Sequence, residues 1–114
     1  MSDEHYAMVA PILPGKLGAW KNMIGELKGS KKKEYQASRK RMGIKHERAW
    51  LQQTPQGDFV VVSLEGKQTS KVLQKSAASK DPFDKWFMGQ VSEIHGIQLS
   101  DALPPPNELY LDIL

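Results

Sequence analysis

The sequence contains no cysteine, which excludes disulfide bonds, thiol catalysis and cysteine-ligated metal sites. It also lacks an apolar run near the ~18 residues of a membrane-spanning helix. The first residues, MSDEHY, do not form a basic region followed by an apolar one, as a signal peptide would. We therefore expect no membrane association and a cytoplasmic location.

Metal ligands and phosphate loops are missing as well. The three histidines, His5, His46 and His95, do not have the spacing of metal ligands. No Gly-rich phosphate-binding loop is present. We expect neither a metal site nor a bound cofactor.

Acidic residues are scarce in one region of the chain. From Lys28 to Arg48 there are nine Lys or Arg residues and two acids, Glu34 and Glu47, although the net charge is only +3. A basic run can contact nucleic acid. This one has no recognition motif and no interleaved aromatic residue except Tyr35, which is typical of a solvated helix face. We do not expect nucleic-acid binding.

A predicted hairpin dominates the middle of the chain, at residues 48–66. Its turn, Thr54-Pro55-Gln56-Gly57, suits a three-residue loop with a Gly bulge. A four-residue loop would shift the pairing by one residue and exchange the faces. The three-residue loop predicts these opposite pairs: Thr54 with Asp58, Gln52 with Val60, and Trp50 with Val62.

The other patterns complete one domain, residues 1–114. They predict the following elements: a strand at 4–13, a helix at 16–28, a helix capped by Ser30 and ending at 42, the hairpin, a helix at 69–78, a helix from Asp81-Pro82 to His95, a Pro-rich connector at 102–106 and a strand at 108–114. This order favours an α+β, ferredoxin-like βαββαβ fold with a four-stranded antiparallel sheet.

The first and third predicted strands are apolar on both faces, which is typical of central, covered strands. The helices of this fold cover one face of the sheet only. The other face needs a partner, and a homodimer supplies it most simply.

Three short motifs occur together: WLQQTPQGD (50–58), DPFDKWF (81–87) and EIHG (93–96). From about residue 6 to its end, the chain resembles a family of small, mostly bacterial proteins of unknown function among the dimeric α+β barrel proteins. The resemblance implies that fold and a dimer, but it transfers no activity. The superfamily includes cofactor-independent monooxygenases, haem-degrading enzymes, chlorite dismutase-like proteins and ligand-binding members. Haem degraders use an Asn, Trp and His set, to which Trp50 and His95 do not correspond.

His95 is the candidate catalytic base, because it lies in the last turn of the most aromatic helix. The helix C-terminus should hold it protonated more readily than a free histidine. The structural alternative is that His95 only caps its helix.

Six further residues are candidates for ligand binding, and each has a structural alternative. Trp50 and Gln52 share one face of the hairpin, and Tyr35 and Arg39 lie four residues apart on one helix face. Trp86 belongs to an aromatic helix stripe that fits a core, and Glu65 ends a strand. The ligand-binding candidates are therefore Trp50, Gln52, Trp86, Tyr35, Arg39 and Glu65.

Three functions remain open from the sequence. The first is a homodimer that binds a small apolar or aromatic molecule between sheet and helices, in a pocket lined by Trp50, Gln52, Trp86 and His95. The second is a cofactor-independent monooxygenase or isomerase that uses His95 as base. The third is a structural dimerisation module without catalysis.

Overall fold

The computed structural model describes residues 3–97 and 107–114. These residues form an α+β fold whose elements follow in this order: β1 (Glu4–Pro11), α1 (Leu17–Lys28), α2 (Lys32–Arg41), β2 (Ile44–Thr54), β3 (Gly57–Gly66), a 3₁₀ turn (Thr69–Lys71), α3 (Val72–Ala78) and α4 (Pro82–His95).

The described sheet has three antiparallel strands in the order β1-β3-β2, so the predicted four-stranded ferredoxin-like sheet is wrong. β3 is central, as predicted, but β1 lies at an edge. Residues 107–114 form no strand, and Tyr110 is 91% exposed. Their alternating pattern matches a strand, yet a strand also needs a neighbour to pair its backbone. The predicted connector at 102–106 lies outside the described residues.

The helices pack on one face of the sheet. The apolar stripe of α1 contributes Trp20, Met23 and Leu27 to the main core, where they meet Val60 of β3 and Ile94 of α4. This stripe follows the three- and four-residue spacing that the sequence predicts. A smaller cluster at the other end of the sheet contains Met42, Ile44, Leu64 and Val72.

The helix ends agree in part with the sequence. Asp81 caps α4, because its carboxylate accepts hydrogen bonds from the backbone N–H groups of Phe83 (2.9 Å) and Asp84 (3.3 Å). Gly43 and Gly96 follow α2 and α4 in the left-handed conformation, as predicted. The predicted Ser30 cap is wrong, because α2 begins after Lys31 without a side-chain cap.

The hairpin has a two-residue loop, Pro55-Gln56, and the predicted register is wrong by one residue. Thr54 pairs with Gly57, and Trp50 pairs with Val61 instead of Val62. The Thr54 hydroxyl donates to the Gly57 carbonyl (2.8 Å) and accepts from the Gln56 N–H (3.2 Å). Gly57 adopts φ of +134°, which lets the return strand start one residue earlier.

No helix of the described residues covers the second face of the sheet. Its middle row consists of Val9, Val61 and Trp50 on adjacent strands. Val9 is 64% exposed and Trp50 is 50% exposed. We call this surface, together with the neighbouring Pro11–Phe59 pair, the open sheet face.

Candidate functional site

A cavity of about 110 Å³ lies between the covered sheet face and the helices. Its walls are mainly apolar, because they come from the inward positions of β1 and β3 and the apolar stripes of α1 and α4. Polar side chains from α2, β2, α3 and α4 line it as well. The wall includes Ala10, Tyr35, Arg39, Glu47, Phe87 and His95.

Tyr35, Arg39 and Glu47 form a polar cluster at one end of the cavity. Tyr35 and Arg39 are one helical turn apart on α2, so they share a face. The Tyr35 hydroxyl donates a hydrogen bond to Glu47 Oε1 on β2. The Arg39 guanidinium lies against both aromatic rings, with its central carbon 4.9 Å from the centroid of Tyr35 and 5.1 Å from that of Phe87. The sequence-based pairing of Tyr35 with Arg39 is therefore present in the fold.

Burial shapes the chemistry of this cluster. It raises the pKa of Tyr35, and the negative charge of Glu47 raises that pKa further, so the phenol stays protonated at neutral pH. The Arg39 side chain is only 11% exposed, and its NH1 lies 3.6 Å from Glu47 Oε2. Arg39 Nε has no hydrogen-bond acceptor among the described residues.

His95 lies at another part of the cavity wall, at the end of α4. Its Nδ1 is 2.8 Å from the Pro11 carbonyl oxygen. The N–H group at Nδ1 donates to this oxygen, so Nε2 is the acceptor nitrogen of the neutral ring. The side chain therefore ties α4 to β1, and it does not cap the carbonyl groups of its own helix.

Burial lowers the pKa of His95, and the bond to Pro11 offsets this only partly. The expectation that the helix C-terminus would hold His95 protonated more readily is therefore wrong. The loss of hydration on burial is the larger of the two causes, and it disfavours the charged imidazolium. A neutral imidazole that donates through Nδ1 can accept a proton at Nε2.

The two polar parts of the cavity wall are far apart. Tyr35 contacts Phe87, with ring centroids 5.4 Å apart, and His95 lies two helical turns farther along α4. Eight residues of helix span about 12 Å. His95 and the Tyr35–Glu47 pair therefore do not form a catalytic dyad, but a ligand in the cavity can contact groups at either end.

Asp84 is connected to the polar cluster through Ser38, and the sequence did not indicate it as a site residue. It is 1% exposed and accepts hydrogen bonds from Ser38 (2.5 Å), Ser79 (2.6 Å) and Arg41 (2.9 Å). Ser38 in turn accepts from Arg39 NH2 (3.3 Å). The sequence shows Asp84 only as an acidic residue in the first turn of a helix.

Glu47 was also missed as a site residue, since the sequence places it within a basic run. Its position on β2 indicates an inward side chain. The residues on either side of Glu47 are exposed, and Leu51, four residues later on the same face of the strand, packs against the core. A carboxylate at an inward strand position needs a partner, and Tyr35 and Arg39 supply it.

The other predicted site residues lie elsewhere. Trp50 and Gln52 are on the open sheet face, where Gln52 pairs with Phe59, so they cannot line a pocket together with His95. Glu65 is on that face too, 3.9 Å from His5. Trp86 flanks the core, with its ring 5.6 Å from Phe83 and under Lys31 Nζ. Of the four residues predicted to form one pocket, only His95 lines the cavity.

Residues 3–97 and 107–114 contain no group of three or more His, Cys, Asp or Glu that could hold a metal ion. In the same part of the chain, no helix combines the length and apolar character needed to cross a membrane.

Comparisons with protein-family models, with curated proteins and with solved structures find no match to this chain. The resemblance to a bacterial family, drawn above from three motifs, therefore stays a prediction.

Proposed function

We propose that this protein is a homodimer that binds a small, mostly apolar molecule in the cavity between sheet and helices. The observation that carries the proposal is the cavity of about 110 Å³ with mainly apolar walls. An apolar cavity of about 150 Å³ can bind benzene, whereas sites for drug-sized ligands start at about 300 Å³. The ligand, or the part of it that enters, is therefore about one aromatic ring in size.

The polar groups on the cavity wall favour a ligand-binding site over a packing defect. Tyr35, Arg39 and Glu47 lie in one part of the wall, and His95 lies in another. Ligand sites commonly combine an apolar wall with a few polar groups that fix the orientation of the ligand. Packing defects, in contrast, are usually lined by apolar groups alone.

The open sheet face supports the dimer. Val9, Val61 and Trp50 form an apolar row on it, and Phe59 lies beside that row. Apolar surface of this kind commonly marks an interaction site. In a two-fold dimer the same patch of both copies forms the interface, so a second copy would bury the row. A cytoplasmic location and membership of the bacterial family remain part of this proposal.

Filling the cavity tests the ligand-binding part. Ala10 is half-buried and lines the cavity, whereas Ala77 on α3 is exposed and does not. The assay is a thermal-shift screen of small aromatic and quinone-like compounds. We expect a compound to raise the melting temperature of wild type and of Ala77→Leu but not that of Ala10→Leu. Equal shifts in Ala10→Leu would place the ligand outside the cavity. A folded dimer that no compound stabilises would favour the structural dimerisation module.

Charge on the open sheet face tests the dimer. We expect light scattering at micromolar concentration to give twice the chain mass for wild type and for the control Ala77→Glu. Val61→Glu should give monomers or aggregates, because it places a charge in the middle of the apolar row. A wild type that is a uniform monomer would refute the dimer.

A second candidate function is base catalysis by His95, in a cofactor-independent monooxygenase or isomerase. The observation that favours it is the position of the His95 imidazole on the cavity wall, where Nδ1 contacts the Pro11 carbonyl and burial lowers the pKa of the ring. His95→Gln should then keep the fold and ligand-induced stabilisation but abolish turnover of the ligand. Turnover that is unchanged in His95→Gln would remove His95 as the base.

A further inference from the structure

Tyr35, Arg39 and Glu47 form a wall between the cavity and the protein surface. The same three residues line an open groove outside, between α2 and β2. A ligand can therefore lie partly in the cavity and partly in the groove if this wall opens or rearranges. The other residues of the groove are Gln36, Lys40, Ile44, Lys45 and His46.

Arg39 makes few hydrogen bonds for a buried guanidinium. A guanidinium carries five N–H donors. Within the described residues, NH2 donates to Ser38 Oγ at 3.3 Å, NH1 lies 3.6 Å from Glu47, and Nε has no acceptor. An N–H group that is buried without a partner is unfavourable. The planar fork of Arg matches a carboxylate, which can accept two parallel hydrogen bonds.

The charges around the groove also favour an anion. Arg39, Lys40 and Lys45 line it together with a single acid, Glu47. Lys45 is partly balanced by Asp3 at 3.0 Å, and Glu47 is engaged by the Tyr35 hydroxyl and by Arg39. With Lys45 balanced by Asp3 and Arg39 by Glu47, the groove keeps the one positive charge of Lys40, which should attract an anionic ligand group toward the mouth of the cavity.

We propose that the ligand is a small monocarboxylate, with its aryl or short alkyl part in the cavity and its carboxylate bound by Arg39 at the groove. This inference rests on the proposed function, because it names the chemical class that the same cavity binds. The cavity volume limits the apolar part to about one aromatic ring. The planar guanidinium of Arg39 determines the charged part of the ligand, because its geometry matches a carboxylate.

The test compares three probes of similar size by NMR titration at pH 7: benzoate, benzamide and toluene. Wild type should bind benzoate about tenfold more tightly than benzamide, since a charge-assisted hydrogen bond is roughly twice as strong as a neutral one. Arg39→Gln should lose this preference and keep its affinity for toluene. Lys85→Gln is the control, because it also removes one positive charge and Lys85 is exposed on α4, outside the cavity and the groove.

Arg39→Lys provides a second variant in case Arg39→Gln does not fold. It keeps the charge and the alkyl stem but loses the fork, so the benzoate preference should fall to about twofold to threefold. If wild type binds benzoate and benzamide equally, or if Arg39→Lys and Arg39→Gln retain the full preference, the carboxylate inference is refuted while the proposed function stands. If none of the three probes binds, the proposed function itself fails.

Discussion

Removal of the Asp84 carboxylate should cost this fold a large share of its stability. Asp84 lies on α4 and is 1% exposed. It accepts hydrogen bonds from Ser38 on α2 at 2.5 Å, from Ser79 before α4 at 2.6 Å and from Arg41 at the end of α2 at 2.9 Å. One carboxylate on α4 therefore binds both α2 and the loop that precedes α4.

The magnitude follows from what Asp84→Ala leaves behind. Breaking a buried ion pair typically costs about 3–5 kcal/mol. The Arg41 side chain is 41% exposed and retains Asp81 at 3.2 Å, so the lower end applies, about 3 kcal/mol. Ser38, which is fully buried, would also lose its acceptor. Asp84→Asn keeps the shape and one acceptor oxygen, and its cost should be about 2 kcal/mol.

Urea unfolding at pH 7 measures these losses. A protein of this size has about 5–15 kcal/mol of stability, and a loss of 3 kcal/mol should lower Tm on the order of 10 °C. The matched control is Asp3→Asn, which removes a carboxylate paired with the exposed Lys45 and should cost at most about 1 kcal/mol. A loss below 1 kcal/mol for Asp84→Ala would refute the assigned role of the carboxylate.

The pH dependence of the same variants gives an independent check. Burial raises the pKa of Asp84, but the hydrogen bonds from Ser38, Ser79 and Arg41 more than offset this and lower it below its ordinary value of 3.8. The stabilisation is therefore fully present above pH 3.8 and is lost as the pH falls through the folded-state pKa. The stability difference between wild type and Asp84→Asn should shrink in that acidic range. If the stability difference between the two proteins grows on acidification, the pKa of Asp84 is not lowered by folding.

Two further changes test the backbone and the helix start. In Gly66→Ala the new Cβ would overlap the carbonyl oxygen of Gly43, so urea unfolding should show a loss above about 3 kcal/mol. In the control Gly25→Ala, a Cβ meets nothing within 4 Å, so the free energy of unfolding should be unchanged or rise by up to about 1 kcal/mol. Comparable losses of stability in both variants would refute the close approach of Gly66 to Gly43. Asp81→Ala should cost about 1–2 kcal/mol through the lost cap and the lost contact with Arg41, and an unchanged Tm by circular dichroism would contradict the cap.

Features set by neighbouring residues could be predicted from the sequence. The start of α4 at Asp81-Pro82 depends on a cap and a fixed φ that lie within one turn. The apolar stripe of α1 depends only on helical spacing. The pair Tyr35 and Arg39 is likewise local to α2. In each case the information lies within a few residues, so the prediction survives in the fold.

Features set by distant partners could not be predicted in this way. Residues 108–114 alternate like a strand, but no described strand pairs with them. Asp84 has the sequence signature of a helix start, and only the packing of α2 on α4 brings Ser38 and Arg41 to it. The pKa of His95 also depends on burial at the end of β1, and its position in the helix alone does not reveal that burial.

The hairpin shows how a local choice decides which residues can belong to the site. Pro55 fits the first loop position in either a two-residue or a three-residue loop, so the turn sequence alone does not fix the register. With the longer loop, Trp50 would pair with Val62, whose side chain lines the cavity. In the fold Trp50 pairs with Val61, and alternation along the strand places it on the opposite face. The same shift directs Glu47 inward, and it is this carboxylate that meets Tyr35 and Arg39. A change of one residue in the loop therefore decides whether the β2 side of the cavity wall presents the aromatic ring of Trp50 or the carboxylate of Glu47.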